Sequence, residues 1–182
     1  MRLDKYSSAE FDRGRSRGAE ALWVLVQALF VSSWLPGSWL RIVILRLFGA
    51  KIAAHVIIKP RVSVKFPWRL VVGEWSWIGE RVWIDNLAEV RIGNHAVISL
   101  NAYLCTGNHD MASETFDLVV KPIVIEDSAW IGAGAIVGPG AVVGTGAVLS
   151  VGSVAWKSLQ AGTIYRGNPA TAVGMRQRSP AR

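Results

Sequence analysis

A chain of 182 residues, 51% of them hydrophobic, is one domain's worth of material with enough apolar side chain for a stable core. Its single cysteine, Cys105, excludes an internal disulfide framework and a Cys-based zinc cluster, and suits a reducing compartment. A net charge of +7 favours anionic partners, yet the basic residues are scattered or terminal and no nucleic-acid-binding motif accompanies them, so no nucleic acid is expected.

Residues 1–18 are polar and carry Arg13, Arg15 and Arg17. They are expected to be an irregular arm rather than a cleavable leader, which points to a cytoplasmic protein. Residues 19–33 are apolar nearly all round and rich in Ala and Leu, so they should be helical. Pro36 and Gly37 break that run, a second helical segment is expected over 38–48, and Gly49 is a natural stop. Neither segment reaches the roughly 20 apolar residues of a membrane span. Two readings stay open: a helical cap over the first turn of the fold, or a hairpin lying on the inner face of the cytoplasmic membrane through residues 19–48. In the second, Trp23, Trp34 and Trp39 would sit at headgroup level.

From residue 52 an aliphatic residue recurs every six: Ile52, Ile58, Val64; Val72, Ile78, Ile84; Ile92, Ile98, Leu104; Ile125, Ile131, Val137; Val143, Leu149, Ala155. A period of six fits neither one long helix nor one long strand. It is the signature of a hexapeptide parallel β-helix. The phase breaks only after a third hexapeptide, so three hexapeptides make one triangular coil and every insertion leaves from the same corner. The fold class is therefore all-β, a parallel β-helix of about five coils, with an N-terminal helical segment and a protruding loop at coil three. The chain divides into an N-terminal part, 1–50, a β-helix, 51–160, with its loop 105–124, and a C-terminal segment, 161–182. In the last, Gly167, Asn168 and Pro169 should turn, and the basic tail from Arg176 should lack fixed structure.

The same phase predicts two outward columns, Ile57, Trp77, Val97, Trp130 and Val148, and Ser63, Trp83, Tyr103, Ile136 and Val154. Such apolar faces point to a subunit contact of cyclic symmetry. Trp77, Trp83 and Tyr103 could instead be platforms on which a sugar stacks.

Of the three histidines, His55 and His95 fall on outward turns and read as bystanders. His109 lies in CTGNHDMAS, at the mouth of the long insertion, where binding and catalysis concentrate on a rigid scaffold. A neutral imidazole is the natural general base at neutral pH. Asn108 and Asp110 flank it. Cys105 has no basic residue beside it to make it a nucleophile, and neither histidines nor carboxylates have metal-ligand spacing, so no metal is expected.

With its repeats, CTGNHD at 105–110, RGNPA at 166–170 and LRLFGAKI at 45–52, the chain resembles the hexapeptide-repeat acyltransferases. Within them it is most similar to the colanic-acid-type exopolysaccharide O-acetyltransferases of the maltose, galactoside and nodulation-factor group. The resemblance implies a left-handed β-helix, a handedness that crossover physics would have reversed. It implies a homotrimer with active sites between subunits, acetyl-CoA as co-substrate, and a saccharide acceptor, free or lipid-linked. His109 would deprotonate a sugar hydroxyl that attacks the thioester in a ternary complex, with backbone N–H groups on the oxyanion. The resemblance puts Ala133, Val151, Trp156 and Lys157 at coenzyme-contacting positions, and Lys157 with Arg166 suits the coenzyme phosphates. Relatives carry an acceptor-binding Asn in coil two; here the register puts Arg81 near that place, and Asn86 is close but out of register. N-acetylation of an amine on the same fold, and a non-catalytic trimeric scaffold, are the rival readings.

Overall fold

The computed structural model describes residues 1–9 and 11–177. From Lys51 onward the chain winds as a three-faced parallel solenoid. The first face stacks Lys51–Ile52, Leu70–Val72, Val90–Ile92, Ile123–Ile125 and Val142–Val143. The second stacks Ile57–Ile58, Trp77–Ile78, Val97–Ile98, Trp130–Ile131, Val148–Leu149 and Thr163–Gly167. The third stacks Ser63–Val64, Trp83–Asp85, Tyr103–Cys105, Ile136–Val137 and Val154–Ala155. All fifteen periodic residues are buried, and counterparts in successive coils pair, as Ile98 does with Ile131 and Ile131 with Leu149. The fourteen that are Ile, Val or Leu each contribute roughly 1.5–3 kcal/mol by leaving water.

The expected count of about five coils holds. Five coils are complete, and a sixth begins where Leu159 bridges to Val143 and Thr163–Gly167 pairs with Val148–Leu149. The chain then turns back, so that Ala170–Met175 pairs antiparallel with Thr163–Gly167. Arg176 donates to the carbonyls of Ser128 and Gly146, and tail residues 178–182 lie outside the described residues.

Helix α1, Arg17–Val26, is capped by the Ser16 hydroxyl and continues into a wider turn, Gln27–Val31. Helix α2, Ser38–Leu47, ends at Gly49, whose φ of 100° is the left-handed conformation glycine adopts without penalty. The two helices close the open edge of coil one, and they do so with side chains. Trp23 Nε1 donates to Val64 O, Gln27 Oε1 accepts from Val64 N, Ser38 Oγ accepts from Ile58 N, and Arg46 donates to Ile52 O. An uncapped strand edge would offer these groups to another chain. Among the described residues of the arm, 1–9 and 11–16, the one helical turn is Leu3–Lys5. The arm folds back along the solenoid, where Trp68 Nε1 donates to Arg13 O and Phe11 stacks on Phe66.

Candidate active site

The corner between the third and first faces carries every insertion. There Thr106, fully buried, fixes the foot of the long loop: its hydroxyl donates to Asp85 O and accepts from Ala88 N. The loop leaves as a β-hairpin, Gly107–His109 against Leu118–Val120. Its tip is tied by short polar contacts. Asp110 Oδ1 accepts from Ala112 N, and the Asp117 carboxylate accepts from the Ser113 and Thr115 hydroxyls at 2.7 and 2.6 Å. Those two hydroxyls hold the Asp117 carboxyl below its ordinary pKa.

His109 sits on the first hairpin strand, half-buried. Its Nδ1 is 2.8 Å from Phe116 O. A carbonyl oxygen only accepts, so Nδ1 carries the hydrogen and the neutral ring presents its lone pair at Nε2. The Phe116 ring stacks on the imidazole at 4.0 Å, and Tyr6 of the N-terminal arm meets it edge-on at 5.7 Å. The ring is thus fixed in tautomer and orientation, the condition a general base needs.

A cavity of about 450 Å3 opens beside it, lined by Asn108, His109, Asp110, Lys121, Pro139 and Trp156 among others. The fold therefore brings Trp156, from coil five, to the histidine of the coil-three loop. Asn108 and Asp110 line the same cavity, although each uses its side-chain oxygen locally, Asn108 on His109 N and Asp110 on Ala112 N. Lys157 is exposed on the turn after Trp156.

Ala133, Val151 and Arg166 stand elsewhere, at the corner between the second and third faces. Gly152 N donates to Ala133 O there, and Ser150 N to Tyr165 O, so the three residues climb that corner coil by coil. Arg81 belongs to the same corner, exposed and 3.8 Å from Glu80. The third face, with Trp83, Tyr103 and Ile136, lies between this corner and the His109 cavity. Trp83 and Tyr103 stack at 4.6 Å between centroids. Asn86 is fully buried, and its amide is closed on Phe66, accepting from Phe66 N and donating to Phe66 O. That leaves the Asn86 amide as a bracket between coils one and two rather than a group facing a ligand.

Asp85 escaped the sequence reading. It extends the coil-two strand by one residue at the insertion corner, one coil below Cys105. Tyr103 Oη donates to Asp85 Oδ2 at 3.1 Å, while Asp85 Oδ1 is buried and takes no hydrogen bond; Lys65 Nζ stands 3.9 Å from it. Burial, reinforced by the Cys105 thiol and the Asp85 carboxylate, pushes the Tyr103 hydroxyl well above its ordinary pKa and keeps it protonated. Lys121, Tyr6 and the Phe116 carbonyl were missed as well. Among the described residues no three metal-ligating side chains come together.

No protein-family profile matches the chain. The protein of Escherichia coli strain K12 provisionally named colanic acid biosynthesis acetyltransferase WcaF is 41% identical over 174 residues, 94% of each chain. A hexapeptide-repeat-containing acetyltransferase of Vibrio cholerae, complexed with acetyl coenzyme A, superposes with a TM-score of 0.81 at 23% identity, over 98% of this chain and 100% of that one. A maltose O-acetyltransferase of Clostridium difficile 630 superposes with a TM-score of 0.80 at 20% identity, over 88% of both chains.

Proposed function

The chain belongs to the family of the colanic acid biosynthesis acetyltransferase, on the hexapeptide-repeat acetyltransferase fold, and from that premise we propose that it moves acetyl from acetyl-CoA to a sugar hydroxyl of an exopolysaccharide or its lipid-linked precursor. The observation that carries the chemistry is the His109–Phe116 O contact, which leaves Nε2 as the free base. In the ternary complex Nε2 takes the hydroxyl proton as the oxygen attacks the thioester carbonyl. The C–O bond forms, the C–S bond breaks, and the proton passes from Nε2 to the departing thiolate. No covalent acetyl-enzyme is required, and Cys105 Sγ is turned away, donating to Gly107 O.

Trp156, Lys121 and Lys157 suit the coenzyme: one aromatic wall beside the base and two cations for its phosphates. Backbone along the Ala133–Val151–Arg166 corner supplies the remaining contacts, in a homotrimer whose neighbouring subunit closes the groove. The half-exposed Trp77 and Trp130, stacked on the second face either side of Val97, favour that assembly. The acceptor enters beside the N-terminal arm, where a second cavity of about 470 Å3 lies between Phe11, Arg69, Leu87 and the far side of the hairpin.

The test is coenzyme A release from acetyl-CoA across a panel of mono- and oligosaccharides, with the product then treated with mild base. Acceptor-dependent release and a base-labile ester are expected. A base-stable amide would replace the hydroxyl acceptor by an amine, and failure to bind acetyl-CoA at all would leave only the scaffold.

A further inference from the structure

The N-terminal hairpin is built inside out. In residues 21–31 the one polar side chain, Gln27, points inward onto Val64 N. In α2 the cation Arg41 is buried, donating to the carbonyls of Val31, Ser33, Leu35 and Gly37. What faces outward is apolar. Leu22, Leu25 and Leu29, at the spacing of one helical stripe, are 54%, 57% and 55% exposed. At the linker Trp34 and Trp39 are 72% and 73% exposed. Capping coil one explains the inward side chains and leaves this outward face without a partner. A helix that is apolar on its far side as well as its near side is shaped for a second apolar phase.

Charge selects the phase. From residue 21 to residue 73 the chain has no Asp or Glu and seven Lys or Arg. Arg61, exposed, donates its backbone N–H to Ser33 O, which places a cation beside Trp34; Lys59 is exposed on the same turn. Two copies meeting through this face would set cation against cation. An anionic lipid leaflet instead meets the leucines with acyl chains, the tryptophans with the headgroup boundary and the cations with phosphate. Among the described residues no helix is long and apolar enough to cross a membrane, so the contact is one of lying on the surface.

We propose that the outward face of residues 22–39 seats the protein on an anionic membrane surface. This stands apart from the acetyl-transfer reading, because none of these residues touches the His109 cavity.

The test is flotation of the full chain with phosphatidylglycerol–phosphatidylcholine vesicles, against phosphatidylcholine alone. Wild type should float with the anionic vesicles, and Leu25→Glu/Leu29→Glu should lower the binding constant by more than about tenfold. Both leucines are exposed, so an unchanged melting temperature and unchanged acetyl transfer to a soluble acceptor should accompany the loss. A wild type that stays free of vesicles, or a double variant that binds as wild type does, would overturn the proposal. Equal binding to neutral vesicles would overturn its anionic part. Self-association that the double variant abolishes, without flotation of wild type, would assign the face to a second copy instead.

Discussion

Leu104 and His109 lie five residues apart and are held in place by different kinds of force. Leu104 is fully buried in a stack, Val64–Ile84–Leu104–Val137–Ala155, that the coils repeat almost unchanged. His109 stands on a hairpin with no counterpart in other coils, kept by one carbonyl, two aromatic rings and a few short polar contacts. The stack tolerates any aliphatic residue of about the right volume, because burial is non-directional. The hairpin does not, because hydrogen bonds are directional and each has one partner. On the proposed reading, the solenoid supplies stability from the repeat, and the chemistry sits where the repeat breaks.

The comparison breaks most visibly if the coil is hollowed. Leu104→Ala should cost about 2–5 kcal/mol in urea or thermal unfolding, from lost transfer energy and the cavity left behind. Turnover per folded molecule at low temperature should stay near wild type; a loss of turnover with stability intact would mean that stack and loop are not separable. A smaller effect comes from Gly138. A methyl there would lie 2.3 Å from Cε3 of the Trp156 ring, an exposed side chain that can swing away. Gly138→Ala should therefore keep the fold and raise the KM for acetyl-CoA about tenfold, roughly 1.4 kcal/mol. An unchanged KM would remove Trp156 from the coenzyme site.

The smallest effect concerns the loop tip. Asp117 has its pKa lowered in the folded state by the Thr115 and Ser113 hydroxyls. A lowered folded-state value means that the contribution is complete above the ordinary value of 3.8 and is lost as pH falls through the lower folded-state value. The protection factors of amides 110–117, exchange rates taken relative to the intrinsic rate at each pH, should therefore be flat from neutral pH down to that point and fall below it. Asp117→Asn should give the lowered protection at every pH with no change in the melting temperature. A melting temperature that fell as well would make the tip part of the folding core.

How much of this the sequence disclosed follows from the same division. The repeat was legible because a period of six, with insertions at one corner, has few geometric solutions; each of the fifteen periodic residues is buried. His109 was legible as a residue because it sits at the break. Its surroundings were not. Phe116 acts through its carbonyl, which leaves no mark in the sequence, and Tyr6 arrives from over a hundred residues away. Asp85 was passed over because the six-residue phase directs attention to Arg81, whereas strands at the insertion corner run one residue longer. Asn86 has the residue type of a ligand contact but is closed on Phe66, and only the fold reveals that. The sixth, partial coil was hidden because Leu159 and Tyr165 follow Ala155 at spacings of four and ten, out of phase with the repeat.

The measurement that bears most directly on the central claim is acceptor-dependent coenzyme A release by wild type and His109→Ala, compared at equal folded concentration and saturating substrates. A free Nε2 acting as general base predicts a fall in turnover of about 10²–10⁴-fold with an unchanged melting temperature. Equal turnover by the two proteins would contradict it and would take His109 out of the chemistry.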